Sequence, residues 1–122
     1  MAKLRKAFAL MGSAASVALA SCGLGKPEVP EIGEGLTQSA VEGQKAFDAR
    51  IKSRFAIGSP VDLIVAELRK QGFVESTFEK EKFRTLDYRN DRFPVHTLWS
   101  VRWREEQGKI TEIWGVFGHT GP

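Results

Sequence analysis

Residues 58–72 read GSPVDLIVAELRKQG, and this stretch decides the fold of the chain. Gly58 allows a bend, Ser59 is a typical capping residue, and Pro60 suits the first helical position, where no backbone N–H is needed. Apolar residues then recur with the i, i+3, i+4, i+7 spacing of one helix face: Val61, Ile64, Val65 and Leu68. The stretch ends in basic residues and Gly72, as helices commonly do. It therefore predicts an amphipathic helix that packs through a single apolar face.

A second helix is predicted upstream of this one. Ser39 and Glu42 have the spacing of a capping box, in which the serine oxygen accepts a hydrogen bond from a backbone N–H of the first turn. Large apolar residues follow at steps of four: Phe47, Ile51 and Phe55. Most charged residues fall on the other side, so the sequence predicts an amphipathic helix that ends near Arg54.

After Phe73 the apolar pattern changes from a helical period to a period of two. Four strands are predicted, over residues 73–79, 82–89, 95–104 and 109–117. The last two are joined by a hairpin connection that contains Gln107 and Gly108. Two helices followed by four strands, with short connections, predict an α+β fold of order ααββββ. In it both helices pack on one face of a four-stranded antiparallel sheet.

The N-terminal residues have the layout of an export signal. Lys3, Arg5 and Lys6 precede an apolar run over residues 7–20, which is too short to remain as a membrane-spanning helix. The run closes on four residues: Leu19, Ala20, Ser21 and Cys22, the chain's one cysteine. This closing stretch resembles the lipobox of bacterial lipoproteins, in which an aliphatic and two small residues precede a cysteine.

The resemblance to lipoproteins implies that residues 1–21 are a signal peptide, cut off before Cys22, and that acyl chains on Cys22 attach the protein to a membrane. Several acyl chains are expected because a single chain gives only reversible membrane binding. Gly23 lacks the acidic side chain associated with inner-membrane retention, which predicts the periplasmic face of the outer membrane. The alternative is cleavage after Ala20, which would release a soluble protein with an unpaired thiol.

The residues after the cysteine predict a tether followed by one domain. Residues 22–36 contain four glycines and two prolines, with no helical or strand periodicity, and so predict a flexible tether. Residues 37–122 are then a single domain of ordinary small size.

Charge and cysteine content exclude several classes of function. The chain has 18 basic and 15 acidic residues, and three of the basic ones lie in the predicted signal peptide, so the mature protein is formally neutral. A basic surface for nucleic acid is therefore not predicted. One cysteine cannot form a disulfide or a cysteine-based zinc site within the chain.

Catalytic and metal-binding patterns are likewise missing from the sequence. His96 and His119 do not have the spacing of two ligands on one face. Asp87 could form a carboxylate pair with Glu79 or Glu112, but cross-strand pairing with arginines explains these residues better. We therefore expect no enzyme activity, no cofactor, no metal and no small-molecule substrate.

The strands hold more aromatic residues than two helices can cover, because only one face of a four-stranded sheet is shielded. Trp99, Trp103 and Trp114 are predicted to lie in the core. If the other face is open, the candidate anchors for a protein partner are residues of the types that dominate interfaces: Tyr88, Arg102, Arg104 and Phe117.

Two helices and a run of strands behind a lipobox resemble the small outer-membrane lipoproteins of the SmpA/OmlA (BamE-like) family. The fourth strand makes the order similar also to one repeat of the β-lactamase-inhibitor protein. Gly58, Ile64 and Leu68 match the family's pattern around the second helix, whereas Pro60 and Arg69 stand where the family has a hydroxyl residue and a second glycine.

The family resemblance implies a non-enzymatic protein-interaction module of the cell envelope. Such a module would be an accessory to outer-membrane assembly or integrity, and its partner would be another envelope protein. The alternative is a periplasmic inhibitor or immunity-type protein that binds an enzyme through its sheet.

Overall fold

A computed structural model describes residues 27–37, 39–78, 82–92 and 94–120. They form a 3₁₀ turn at Glu31–Gly33, helices α1 (Ala40–Arg54) and α2 (Val61–Lys70), and strands β1 (Val74–Phe78), β2 (Phe83–Asn90), β3 (His96–Glu106) and β4 (Lys109–Thr120). The strands pair in chain order as one antiparallel sheet. This arrangement confirms the predicted α+β fold.

Helix α2 packs through the predicted apolar stripe. Val61, Ile64 and Leu68 are buried, and Val65 packs against the same core. The N-terminus differs by one residue from the prediction, because Pro60 is the N-cap rather than the first helical residue. Its extended backbone follows from the pairing of residues 58–61 with the start of β4, where the Val61 N–H donates to Gly108 O (2.9 Å).

A glycine in a left-handed backbone conformation ends α2. Gly72 has φ of +104°, and the N–H of Phe73 donates to Leu68 O at 3.0 Å. The Gly72 N–H donates to Arg69 O at the same distance, which completes a Schellman motif. A Cβ at Gly72 would lie 2.9 Å from the Tyr88 ring, so this turn also brings α2 directly onto β2.

Helix α1 packs on β4. Ser39 accepts the predicted capping hydrogen bond from the Glu42 N–H, at 3.3 Å. Phe47 and Ile51 are fully buried and approach β4 at Gly115, where a Cβ would lie 2.9 Å from each side chain.

Side chains of α1 also cover the outer edge of β4. The Gln44 amide donates to Gly115 O (2.8 Å) and accepts from the Phe117 N–H (2.7 Å). Asp48 accepts from the Gly115 N–H at 2.9 Å. Together with the pairing of residues 58–61 to Gly108 and Ile110, these bonds occupy outward backbone groups at the start of β4 and at Gly115 and Phe117.

The core lies between the helices and one face of the sheet. Its central row crosses three neighbouring strands: Tyr88, Trp99 and Phe117 are register partners, and each neighbouring pair of ring centroids is 5.8 Å apart. Trp103 is also fully buried, as predicted. Trp114 is half-buried on the opposite face, so its prediction as a core residue was wrong.

Residues 27–37 pack against the domain, and we refer to them as the strap. The prediction of a flexible tether through residue 36 is wrong for the described part of that segment. Ile32 is 6% exposed and belongs to the core, and Pro30 is fully buried. Gly33 lies so close to Trp99 that a Cβ would be 2.6 Å from the indole nitrogen.

Polar side chains of the domain hold the backbone of the strap. The Ile32 N–H donates to Gln71 Oε1 at 2.8 Å, and Arg50 donates to the carbonyls of Ile32 (3.0 Å) and Glu34 (2.6 Å). The Tyr88 hydroxyl donates to Pro27 O. These partners replace water on a segment that has few regular hydrogen bonds of its own, which explains why a Gly- and Pro-rich sequence is fixed here.

Candidate functional site

The face of the sheet turned away from the helices is the candidate functional site. We call it the open face, and it includes these residues: Ser76, Phe83, Thr85, Asp87, Leu98, Ser100, Arg102, Arg104, Trp114 and Val116. Both described helices lie on the opposite face, where their buried residues join the core.

The structure separates the four predicted surface anchors into two pairs. Tyr88 and Phe117 are 1% and 7% exposed and lie in the core, so their prediction as exposed anchors was wrong. Both belong to the row that contains Trp99, which faces the helices. Arg102 and Arg104 lie at the alternate positions of β3 and therefore on the open face.

A cluster of hydroxyl groups surrounds a carboxylate at the centre of the open face. Asp87 is 8% exposed, and Thr85 and Ser100 are fully buried. One Asp87 oxygen accepts from Thr85 (2.8 Å) and Ser100 (2.6 Å), and the other accepts from Ser76 (3.3 Å). We call Ser76, Thr85, Asp87 and Ser100 the hydroxyl–carboxylate cluster. A buried carboxylate needs such donors, because an unsolvated charge without partners is strongly unfavourable.

The hydroxyl–carboxylate cluster also positions Arg102. Arg102 Nε donates to Ser100 Oγ at 3.0 Å, and Ser100 in turn donates to Asp87. The orientation of this guanidinium group is therefore set by buried side chains below it. An arginine that is already held loses less conformational freedom when it binds a partner.

Arginine and aromatic side chains alternate next to the cluster, and we call them the Arg–aromatic patch. Arg102 lies over the Phe83 ring at 5.4 Å, and Phe83 meets Trp114 edge-on, with centroids 5.4 Å apart. Arg104 lies over Trp114 at 5.3 Å and pairs with Glu112. These cation–π and aromatic contacts join β2, β3 and β4 into one half-exposed surface.

A second charged group lies on the helix side of the sheet. Arg84 pairs with Glu75 and Glu105, both at 2.8 Å, and lies 5.2 Å from the centre of the Trp103 ring. Burial raises the pKa of Glu75, but hydrogen bonds and charges of Arg84 and Arg69 outweigh it, so the pKa lies below its ordinary value. Desolvation lowers the pKa of Arg84, but its two glutamates reverse this effect and raise it.

The histidines lie apart from the hydroxyl–carboxylate cluster. His96 Nδ1 contacts Asp91 at 3.0 Å, and His119 Nδ1 contacts the Thr97 hydroxyl at 3.0 Å. His96 is four residues from Ser100 along β3, which corresponds to roughly 13 Å. Within the described ranges, no group of three or more His, Cys, Asp or Glu residues is placed to hold a metal ion.

Comparison of the chain with protein-family models, with curated proteins and with solved structures gave no match. None of the helices in the described part of the chain is long and apolar enough to cross a membrane. Cys22 lies outside the described residues. Its lipidation and the likeness to SmpA/OmlA lipoproteins stay predictions from the sequence.

Proposed function

We propose that the chain is a lipid-anchored protein of the bacterial envelope that binds a partner protein through the open face of its sheet and catalyses no reaction. The observation that carries this proposal is the Arg–aromatic patch on the sheet face opposite the helices. The envelope location is inferred from the lipobox residues that end at Cys22.

The composition of the open face supports protein binding. Arginine and tryptophan are the residue types most enriched among the anchors of protein interfaces, and such anchors act best when they are held in place before binding. Arg102 is held by Ser100, and Trp114 is held between Phe83 and Arg104. Partner carboxylates and aromatic rings suit this surface, because guanidinium groups bind both.

The cellular role follows from the sequence resemblance. SmpA/OmlA-type lipoproteins are accessories to outer-membrane assembly or integrity, and the same role is proposed for this chain at the periplasmic face of the outer membrane. A neutral mature chain is consistent with a protein partner rather than nucleic acid.

The test is a charge reversal with a matched control. Arg104→Glu changes the open face, and Arg54→Glu changes a comparable arginine on α1. Their side chains are 46% and 50% exposed, and each pairs with one glutamate. Crosslinking in cells should recover the partner with the wild type and with Arg54→Glu, but much less of it with Arg104→Glu.

Thermal melts of both variants should stay close to the wild type, because exposed ion pairs contribute little to stability. Equal recovery by both variants would exclude the open face as the docking site. A recovered component of the outer-membrane assembly machinery supports the accessory role, whereas a recovered hydrolase supports the inhibitor or immunity role instead.

A further inference from the structure

The two ends of the sheet differ in what they carry. At one end lie the strap, the β2–β3 connection and the C-terminal end of β4, since Asn90 pairs with Thr97 and His96 with Thr120. We call it the strap end. At the other end, which we call the hairpin end, Glu106 pairs with Lys109. The 11 residues of β3 separate the two ends by roughly 35 Å.

The first described residues of the strap are fixed at the strap end. The Tyr88 hydroxyl donates to Pro27 O, and the Asn90 amide donates to Glu28 O at 3.0 Å. Arg92 pairs with the Glu28 side chain. Three side chains from the end of β2 and the connection after it therefore determine where the chain enters the domain.

The distance from this entry point to Cys22 is short. Five residue steps separate Cys22 from Pro27, and a fully extended chain of that length spans at most about 18 Å. This is about half the length of β3. If acyl chains hold Cys22 at a bilayer surface, Pro27 stays within that distance of the lipid headgroups. The same connection does not hold the hairpin end near the bilayer.

The side chains at the strap end suit a headgroup layer. Arg92 and Glu28 are 73% and 64% exposed, and Asp91 and His96 are more than half exposed. Polar groups of both signs match the phosphate and amine groups of phospholipids. Two strongly exposed apolar side chains, Ile57 and Leu63, lie instead at and after the α1–α2 connection, which pairs with the start of β4 at the hairpin end, and a third, Val41, lies in the first turn of α1.

We propose that the strap end is the membrane-facing end of the domain, with the described residues of the β2–β3 connection (91, 92, 94 and 95) resting on phospholipid headgroups and the hairpin end directed away from the bilayer. This inference rests on the proposed lipidation of Cys22. It places the open face at the side of the molecule, where neither the bilayer nor the helices cover it.

The experiment uses the full lipidated protein with one added cysteine, Asp91→Cys at the strap end or Glu106→Cys at the hairpin end. Acylated Cys22 has no free thiol, so a fluorescent label reacts with the added cysteine. The labelled proteins are reconstituted in vesicles of phosphatidylethanolamine and phosphatidylglycerol that carry a headgroup-linked nitroxide quencher. Quenching should be several-fold stronger at position 91 than at position 106.

Two controls complete the design. Pro94→Cys provides a second strap-end site and should be quenched as strongly as Asp91→Cys. An insertion of about ten flexible Gly/Ser residues between Lys26 and Pro27 lengthens the connection and should reduce the quenching at position 91 several-fold.

Vesicle flotation separates the possible failures. Equal quenching at both ends, or stronger quenching at position 106, in a protein that floats with the vesicles overturns the orientation and leaves the anchor intact. A protein that does not float, and that carries no acyl chains by mass spectrometry, overturns the proposed anchor and the orientation together.

Discussion

Glycines lie at several places where the core closes tightly, and Gly33 and Gly115 are two of them. A Cβ at Gly33 would lie 2.6 Å from the Trp99 indole nitrogen, and a Cβ at Gly115 would lie 2.9 Å from both Phe47 and Ile51. Side-chain carbons do not approach other atoms this closely, so a larger residue would push these elements apart. At the residue scale, close packing of the strap on the sheet therefore requires a residue without a side chain at Gly33.

Gly33→Ala tests this packing. The added methyl group should displace the strap from Trp99 and lower the free energy of unfolding by about 1 to 3 kcal/mol. Gly118→Ala is the matched control, because a Cβ there meets nothing within 4 Å. Urea unfolding followed by tryptophan fluorescence measures both. An unchanged Gly33→Ala protein would mean that the strap is not packed there.

The lowered pKa of Glu75 predicts how the stability of the fold changes in acid. Its pKa in the folded chain is lowered from the ordinary glutamate value of 4.5, so the ionised carboxylate stabilises the fold at pH values above 4.5. This contribution disappears as pH falls through the lower pKa of the folded state. Glu75→Gln should thus be less stable than the wild type at neutral pH, by about 1 kcal/mol or less, and the difference should close in acid.

Urea unfolding from pH 7 down to about pH 3 measures the Glu75 effect. The control is Glu112→Gln, whose exposed carboxylate pairs with Arg104 and whose removal should change stability by less than about 0.5 kcal/mol. A difference between wild type and Glu75→Gln that widens in acid would contradict the stabilising role of the ionised carboxylate.

At the scale of elements, α2 is fixed at both ends and along one face. Backbone pairing of residues 58–61 with β4 sets its start, the Gly72 turn sets its end, and Leu68 is fully buried between them. These three constraints come from different residues, and a single position of the helix satisfies all of them. This agreement explains why the sequence predicts α2 to within one residue.

Leu68→Ala measures what the buried face of α2 contributes. Removal of this side chain should lower the free energy of unfolding by about 2 to 5 kcal/mol, because it leaves a cavity in a close-packed core. Leu63→Ala, on the same helix but 67% exposed, should change it by less than about 0.5 kcal/mol. Similar losses in the two variants would show that α2 does not pack through the face that contains Leu68.

At the scale of the whole molecule, the sequence predicts which helices and strands form, but it does not predict which face of the sheet packs against the helices. Periodicity assigns the side chains of each strand to two opposite faces, but the strands on either side of β3 carry aromatic residues on both faces. The pattern therefore could not tell that Tyr88 and Phe117 face the helices while Trp114 faces away. That choice depends on contacts with α1 and α2, which lie far away in sequence.

Two further features could not be predicted from the sequence pattern. The register shifts opposite Arg104 and Glu105, so that Ile110 and Ile113, three residues apart, are both buried. An irregularity of this kind breaks the period of two. The strap was missed because its fixed backbone depends on Gln71 and Arg50, whereas its composition is that of a linker.

Cys22→Ala tests the placement of the whole molecule. The variant should take up no labelled fatty acid and should leave the outer-membrane fraction, because the acyl chains are the proposed attachment. Fractionation of cells grown with a labelled fatty acid measures both effects. A variant that matures normally and stays with the outer membrane would rule out attachment through Cys22.

The side chains that cover β4 limit how copies of this protein can assemble. Growth of a continuous β-structure from many molecules requires two receptive edges on each, one to join and one to be joined. Here Gln44, Asp48 and residues 58–61 occupy outward backbone groups of one edge strand, at Gly108, Ile110, Gly115 and Phe117. Strand-to-strand association along these parts of β4 is blocked, and association through β1 alone ends after a single two-fold pairing instead of propagating into a fibre.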